Sequence, residues 1–150
     1  MIRAAEGTDG PDGYRTFFGY RFFDSYADHP TELDPSFRAW EPWPDDSWIR
    51  NGRRDYTTAA GAYQITLTTW RRLKERLGLR DFSPESQDRA AVELIREKGA
   101  LADVWAGRFD EAVRKLGSVW ASLPSAATPQ PKRTWAFVRQ AYLDAGGTIA

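Results

Sequence analysis

Tyr14-Arg15-Thr16-Phe17-Phe18-Gly19-Tyr20-Arg21-Phe22-Phe23-Asp24-Ser25-Tyr26 decides the fold class of this chain. Aromatic residues favour the pleated surface of a strand, and Gly19 near the middle supplies a turn. Residues 14–26 therefore read as a short β-hairpin or twisted ribbon. Asp28-His29-Pro30 ends it, because Pro lacks an N–H and restricts the residue before it. His29 is the only histidine. Beside Pro it reads as a hydrogen-bonding brace of a loop rather than a ligand or base. No set of ligands at metal-site spacing accompanies it, so no metal is expected.

Downstream the pattern changes to helix. Trp70, Leu73 and Leu77 recur at helical spacing, with Arg71, Arg72, Lys74 and Glu75 on the outer side and Gly78 as a stop. Ser83-Pro84-Glu85 reads as a helix start: a capping hydroxyl, Pro in the first turn, and an acid near the positive end of the dipole. That helix is expected to pass through Ala91, Leu94 and Ile95 to Lys98 and to end at Gly99. A short helix over 101–106 stops at Gly107, and another carries Phe109, Ala112, Val113, Leu116 and Trp120. After a Pro-containing linker over 124–131, residues 135–145 form the last helix, closed by Gly146-Gly147. No internal repeat is present. A ribbon followed by helices predicts an α+β fold, mainly helical, in a single domain over 1–150.

Between ribbon and helices, residues 31–58 hold Pro35, Pro42 and Pro44 with Trp40, Trp43 and Trp48. They read as a long surface excursion folded on its own aromatic rings, with a saccharide-stacking wall as the alternative. Ala59-Ala60-Gly61-Ala62-Tyr63-Gln64-Ile65 is a small-residue turn of the kind that lets backbone approach a ligand. Gln64 there offers both donor and acceptor.

Ahead of the ribbon stands Ala5-Glu6-Gly7-Thr8-Asp9-Gly10. A glutamate between a short helix-compatible run and a Gly/Asp-rich turn can be backed by apolar groups and still face an opening. Burial raises a carboxyl pKa, and a carboxyl that keeps its proton can act as a general acid. On the residues alone, a solvated surface glutamate is the commoner reading.

Composition narrows the classes. The chain has 150 residues, with 21 basic and 21 acidic side chains, so it carries no electrostatic footprint for nucleic acid. No apolar run approaches the roughly 20 residues that span a bilayer, and Met1-Ile2-Arg3-Ala4-Ala5 is too short for the apolar core of a signal peptide. With no cysteine, disulfides and thiolate metal sites are excluded. Aromatic residues make up 14%, seven of them Trp, which suits either a packed core or a sugar-stacking groove.

Taken in order, the segments resemble the lambda-type endolysin family of lysozyme-like peptidoglycan lytic transglycosylases. The likeness rests on Glu6-Gly7-Thr8-Asp9, Tyr26-Ala27-Asp28-His29-Pro30, Gly61-Ala62-Tyr63-Gln64 and the run from Leu77 to Asp88. Gly99-Ala100-Leu101, Trp120-Ala121-Ser122-Leu123-Pro124 and Ala145-Gly146-Gly147-Thr148 complete it. Each is unspecific alone, but the ordered set covers nearly the whole chain.

The resemblance implies an α+β fold with a small ribbon beside a saccharide cleft, and Glu6 as the catalytic acid. Tyr63 and Gln64 become candidate sugar contacts. Ser122 becomes either a third or a structural helix-ending residue. The implied partner is the glycan strand of peptidoglycan, handled by a monomer with no cofactor, no metal, no nucleic acid and no membrane. As a phage lysis enzyme it would wait in the host cytoplasm until a membrane pore gave access to the wall. Glu6 would protonate the bond between N-acetylmuramic acid and N-acetylglucosamine, and the muramoyl C6 hydroxyl would close a 1,6-anhydro ring. The alternatives are a hydrolytic muramidase, with Asp9, Asp12 or Asp24 as second carboxylate, and a non-catalytic wall-binding module.

The chain departs from the family pattern in three places. Only five residues precede Glu6 where relatives carry a longer apolar helix, which would leave the glutamate less buried. Ala59 and Ala62 stand where the family often has Gly and Arg. The Trp-rich excursion is longer than in the lambda member of the family.

Overall fold

The computed structural model describes residues 1–40, 49–50, 53–54 and 56–150. They form two compact units, one of Gly10–Ala90 and one combining Met1–Asp9 with Ala91–Ala150.

In the unit of Gly10–Ala90, the expected ribbon is present but shorter than 14–26. Its first residues, Gly13–Arg15, form a turn of 3-10 helix. Strand β1 (Thr16–Phe17) then pairs antiparallel with β2 (Arg21–Phe22), Thr16 opposite Phe22 and Phe17 opposite Arg21. The connecting turn places Gly19 and Tyr20 both at positive φ, 78° and 60°. Twist at such a tight turn and the 3-10 start limit the ladder. The ribbon is widened by the small-residue segment. Phe18 N–H donates to Ala59 O at 3.0 Å, Gly61 N–H to Thr16 O at 2.8 Å, and Ala60 and Ile65 exchange bonds of 3.1 and 2.8 Å.

Within 31–58 the described residues are more regular than expected. After the short helix α2 (Pro30–Leu33), β3 (Ala39–Trp40) pairs with β6 (Tyr56–Thr57), and β4 (Ile49–Arg50) pairs with β5 (Arg53–Arg54). Nested antiparallel pairs satisfy backbone groups that an irregular excursion would leave to water. The mini-core expected of Trp40, Trp43 and Trp48 lies outside the described residues.

The core of this unit gathers around Phe82, which is fully buried. The rings of Trp70, His29 and Phe23 lie 4.7, 5.0 and 5.9 Å from its centroid. Truncating a buried ring of this kind to Ala costs about 3–5 kcal/mol. Helix α3 (Leu67–Leu77) contributes Trp70 and Leu73 and ends at Gly78 in the left-handed conformation, as the spacing predicts. His29 braces the loop: Thr31 N–H donates to its Nδ1 at 3.3 Å, so Nε2 carries the proton and donates to Ile65 O at 3.0 Å. Burial lowers its pKa and keeps the ring neutral. Beside it, burial would raise the Asp28 carboxyl. The Lys74 ammonium, the Trp70 indole N–H and the His29 N–H outweigh this and hold it below the usual range.

Helix α4 (Pro84–Glu97) begins as read from Ser83-Pro84-Glu85, with Ser83 Oγ accepting from Ser86 N–H at 3.3 Å. The other unit holds α1 (Ile2–Glu6), α5 (Leu101–Trp105), α6 (Phe109–Leu116) and α7 (Trp135–Asp144). Its buried side chains include Ile2, Ala5, Leu94, Phe109, Val113, Leu116, Trp120, Leu123 and Val138. Helix α6 stops four residues short of Trp120. Ser125 Oγ donates to Val113 O at 2.6 Å, and a Cβ on Gly117 would lie 2.7 Å from the Ser125 carbonyl carbon. The incoming chain thus occupies the space beside Gly117. Trp120 stays buried although its backbone has left the helix.

Candidate active site

Helix α1 is only five residues long, yet it fixes Glu6. Gly7 adopts φ 72° and ends the helix, Gly7 N–H donates to Ala4 O at 3.2 Å and Thr8 N–H to Arg3 O at 2.8 Å. This is the double closure that a left-handed glycine permits. Arg3 locks it from outside, donating through Nε and Nη2 to Thr8 O at 3.2 and 3.1 Å. Ile2, Ala5 and Thr8 are buried, and Glu6, the last helical residue, is half-buried.

Glu6 meets Ser122, whose Oγ donates to Glu6 Oε1 at 2.6 Å. Burial raises the Glu6 pKa, opposed by the Ser122 hydrogen bond and the positive charge of Arg133. The five-residue helix α1 leaves Glu6 half-buried, enough for burial to raise its pKa. Ile2 and Ala5 of the same helix are buried. With Oε1 engaged by a hydroxyl, Oε2 is the oxygen on which a proton can be held and offered.

Tyr63 and Gln64 lie in the unit of Gly10–Ala90. Tyr63 donates its hydroxyl to Asp88 Oδ1 at 2.7 Å, and Tyr14 donates to the same oxygen at 2.8 Å. Burial and the Asp88 carboxylate push the Tyr63 phenol pKa upward, so it remains a neutral hydroxyl. Gln64 sits at φ 48°. Its Nε2 donates to Gly61 O at 3.0 Å and to Thr16 O at 3.2 Å, so its amide braces the turn. At Gly61 the small residue has a packing reason. A Cβ on Gly61 would stand 2.2 Å from Gln87 Oε1, so the space serves a buried side chain.

Gln87 and Asp88 entered the sequence reading only inside a motif. Gln87 is fully buried, accepts from Ala62 N–H at 2.9 Å, and donates to Phe82 O at 2.8 Å and Tyr14 O at 3.0 Å. An uncharged amide near the start of a helix, followed by an acid, was the available signal. Arg133 was also missed, since a Lys-Arg pair before a helix carries no mark of a site in sequence.

The carboxylates weighed as a second catalytic group are in open surroundings. Asp9 and Asp12 are exposed, as is Asp24. Asp12 and Asp24 share Arg15 at 3.8 and 3.4 Å. Among the described residues no group of three or more His, Cys, Asp or Glu could hold a metal ion, and no helix is long and apolar enough to cross a membrane.

Comparison with known proteins gives concordant matches. The family model described as Endolysin matches residues 1–149. The endolysin of Escherichia phage P2 is 38% identical over 128 residues, covering 85% of this chain and 72% of the relative. The endolysin of Escherichia phage lambda is 32% identical over 155 residues, covering 99% and 89%. Among solved structures, bacteriophage lambda lysozyme complexed with a chitohexasaccharide superposes with a TM-score of 0.82 at 30% identity, covering 99% of this chain and 91% of that one. A second structure of lysozyme from bacteriophage lambda gives 0.72 at the same identity and coverage. The fold is the mixed α+β arrangement of these lysozymes.

Proposed function

The chain belongs to the endolysin family of lysozyme-like, peptidoglycan-cleaving enzymes, and from that premise we propose that it is a lytic transglycosylase with Glu6 as its one acid–base group. The observation that carries this reading is the Glu6 carboxyl itself, raised in pKa by burial and held at Oε1 by the neutral Ser122 hydroxyl. A protonated carboxyl on Oε2 is the reagent that departure of a sugar oxygen requires.

In the first step Glu6 gives its proton to the oxygen linking N-acetylmuramic acid to N-acetylglucosamine, and the bond from that oxygen to C1 breaks. In the second, the muramoyl C6 oxygen bonds to C1 while its proton passes to the Glu6 carboxylate. The proton count is restored, no water is consumed, and the product ends in a 1,6-anhydro ring. Tyr63 and Gln64 serve as sugar contacts in this reading, and the chitohexasaccharide bound to the lambda lysozyme supports a glycan ligand. Peptidoglycan strands in the cell wall are the substrate, reached by a monomer released from the host cytoplasm at lysis.

A hydrolytic muramidase would need a second carboxylate to activate water or to attack C1. The exposure of Asp9, Asp12 and Asp24 argues against that role for them. Mass analysis of digested cell wall distinguishes the two. Transglycosylation yields anhydro ends one water lighter than muramidase products, and reducing muramic ends carrying oxygen from labelled water would overturn the proposal.

A further inference from the structure

We propose that Arg133 is a positioning residue for Glu6: it locks the turn carrying the acid to the turn carrying Ser122, and it keeps a positive charge beside the carboxylate that forms as the proton leaves. The inference rests on Glu6 being the general acid.

Three hydrogen bonds and one peptide link close a circuit. Ser122 Oγ donates to Glu6 Oε1 at 2.6 Å. The Arg133 backbone N–H donates to Ser122 O at 2.8 Å, and its Nε donates to Ala5 O at 3.1 Å. Ala5 is bonded to Glu6, so the loop returns to the acid. Arg133, the residue preceding the α7 cap Thr134, thus holds both partners of the Glu6–Ser122 hydrogen bond. A carboxyl displaced by an ångström loses much of its rate, because proton transfer requires hydrogen-bond geometry.

The guanidinium lies over the Phe137 ring, 5.0 Å from the centroid, an attraction between the cation and the face of the ring. Several other charged groups of this unit near α1 and α7 have partners of their own: Arg114, over the Trp135 ring, lies 3.6 Å from Glu111. Arg3 is bound to Thr8 O, Arg139 pairs with Asp110 at 2.8 Å, Asp144 accepts from Gln140, and the Met1 amino group is acted on by Asp9. Arg133 is the cation whose field acts on Glu6. Burial favours the protonated acid, and the cation favours its conjugate base. The group must pass through both forms in each turnover, so it needs both influences.

The test compares Arg133→Lys and Arg133→Gln by kcat against pH on purified cell-wall glycan, by carbon NMR titration of the Glu6 carboxyl, and by melting temperature. Lysine keeps the charge but loses the planar Nε–H. It should lower kcat about tenfold while leaving the alkaline limb of the profile in place. Glutamine removes both contributions. It should lower kcat further and move both the limb and the Glu6 titration to higher pH, since no cation then favours the carboxylate. Wild-type kcat and pH profile in both variants would overturn the proposal. So would a drop in melting temperature with unchanged kcat per folded molecule and an unmoved Glu6 titration. Full activity in Glu6→Gln would instead remove the acid assignment, while the NMR titration in Arg133→Gln would still report on the circuit.

Discussion

Ser122 and Glu6 stand 116 positions apart in sequence, and Ser122 Oγ donates to Glu6 Oε1 across 2.6 Å. A hydroxyl in this position favours the charged form of the acid, while burial favours the neutral one. Removing the hydroxyl leaves burial less opposed. Ser122→Ala should therefore raise the Glu6 pKa and move the alkaline limb of kcat to higher pH. Hydrogen bonds to charged groups contribute about 1.5–3 kcal/mol, so kcat should fall by roughly 10- to 100-fold if that bond acts mainly on the departing proton. A pH profile measured on intact wall that matches wild type would assign Ser122 to structure alone.

Glu6→Gln should abolish nearly all lysis, because an amide has no proton to give. General acid catalysis contributes about 100-fold or more, so residual activity above about a tenth of wild type would contradict the assignment. The same substitution should stabilise the fold at alkaline pH. A carboxyl with a raised folded pKa favours folding below its unfolded pKa, and that advantage is lost as pH rises through the folded value. The neutral amide carries no such loss. Melting curves of both proteins should diverge as pH rises through the Glu6 titration and converge in acid. Parallel curves across the whole range would mean that Glu6 is not destabilised by its surroundings.

Gln87→Ala should destabilise the Gly10–Ala90 unit strongly, because Ala62 N–H, Phe82 O and the part-buried Tyr14 O each lose a hydrogen bond at once. With about 1 kcal/mol per bond and a further desolvation cost for each orphaned group, a loss of about 3–6 kcal/mol is expected in denaturant titrations. Gly61→Ala should act through the same contact, since its new Cβ falls 2.2 Å from Gln87 Oε1 and its φ of 77° is unfavourable for alanine. A loss below 1 kcal/mol in both variants would show that the buried amide is replaceable.

Local signals were the legible part of this molecule. The stop at Gly78, the start at Ser83-Pro84-Glu85 and the turn at Gly19 each depend on a few neighbouring residues, and each stands where the sequence puts it. The length of a helix was less legible: α6 stops at Leu116, where Ser125 and Ala126, eight or more residues on, pack against Gly117. Candidate site residues divide in the same way. Glu6 announces itself through Gly7, whose left-handed turn ends the helix beneath it. Arg133 and Gln87 act through partners far along the chain, and spacing alone carries no trace of such contacts. Gln64 was visible as a polar residue in a turn, but its use as a brace to Thr16 O depends on a strand 48 residues earlier.

The unit that bears Glu6 is built from residues 1–9 and 91–150, and this sets an order of events during synthesis. Glu6 leaves the ribosome 116 positions before Ser122, and Arg133 follows later still. Bringing positions 6 and 122 together closes a loop of more than a hundred residues, which slows folding relative to local contacts. Until then the nascent chain carries a glutamate with neither its hydroxyl nor its cation, in ordinary solvation and with an ordinary affinity for its proton. A ribosome stalled anywhere before position 122 would release a fragment that holds the acid without the two residues that place it.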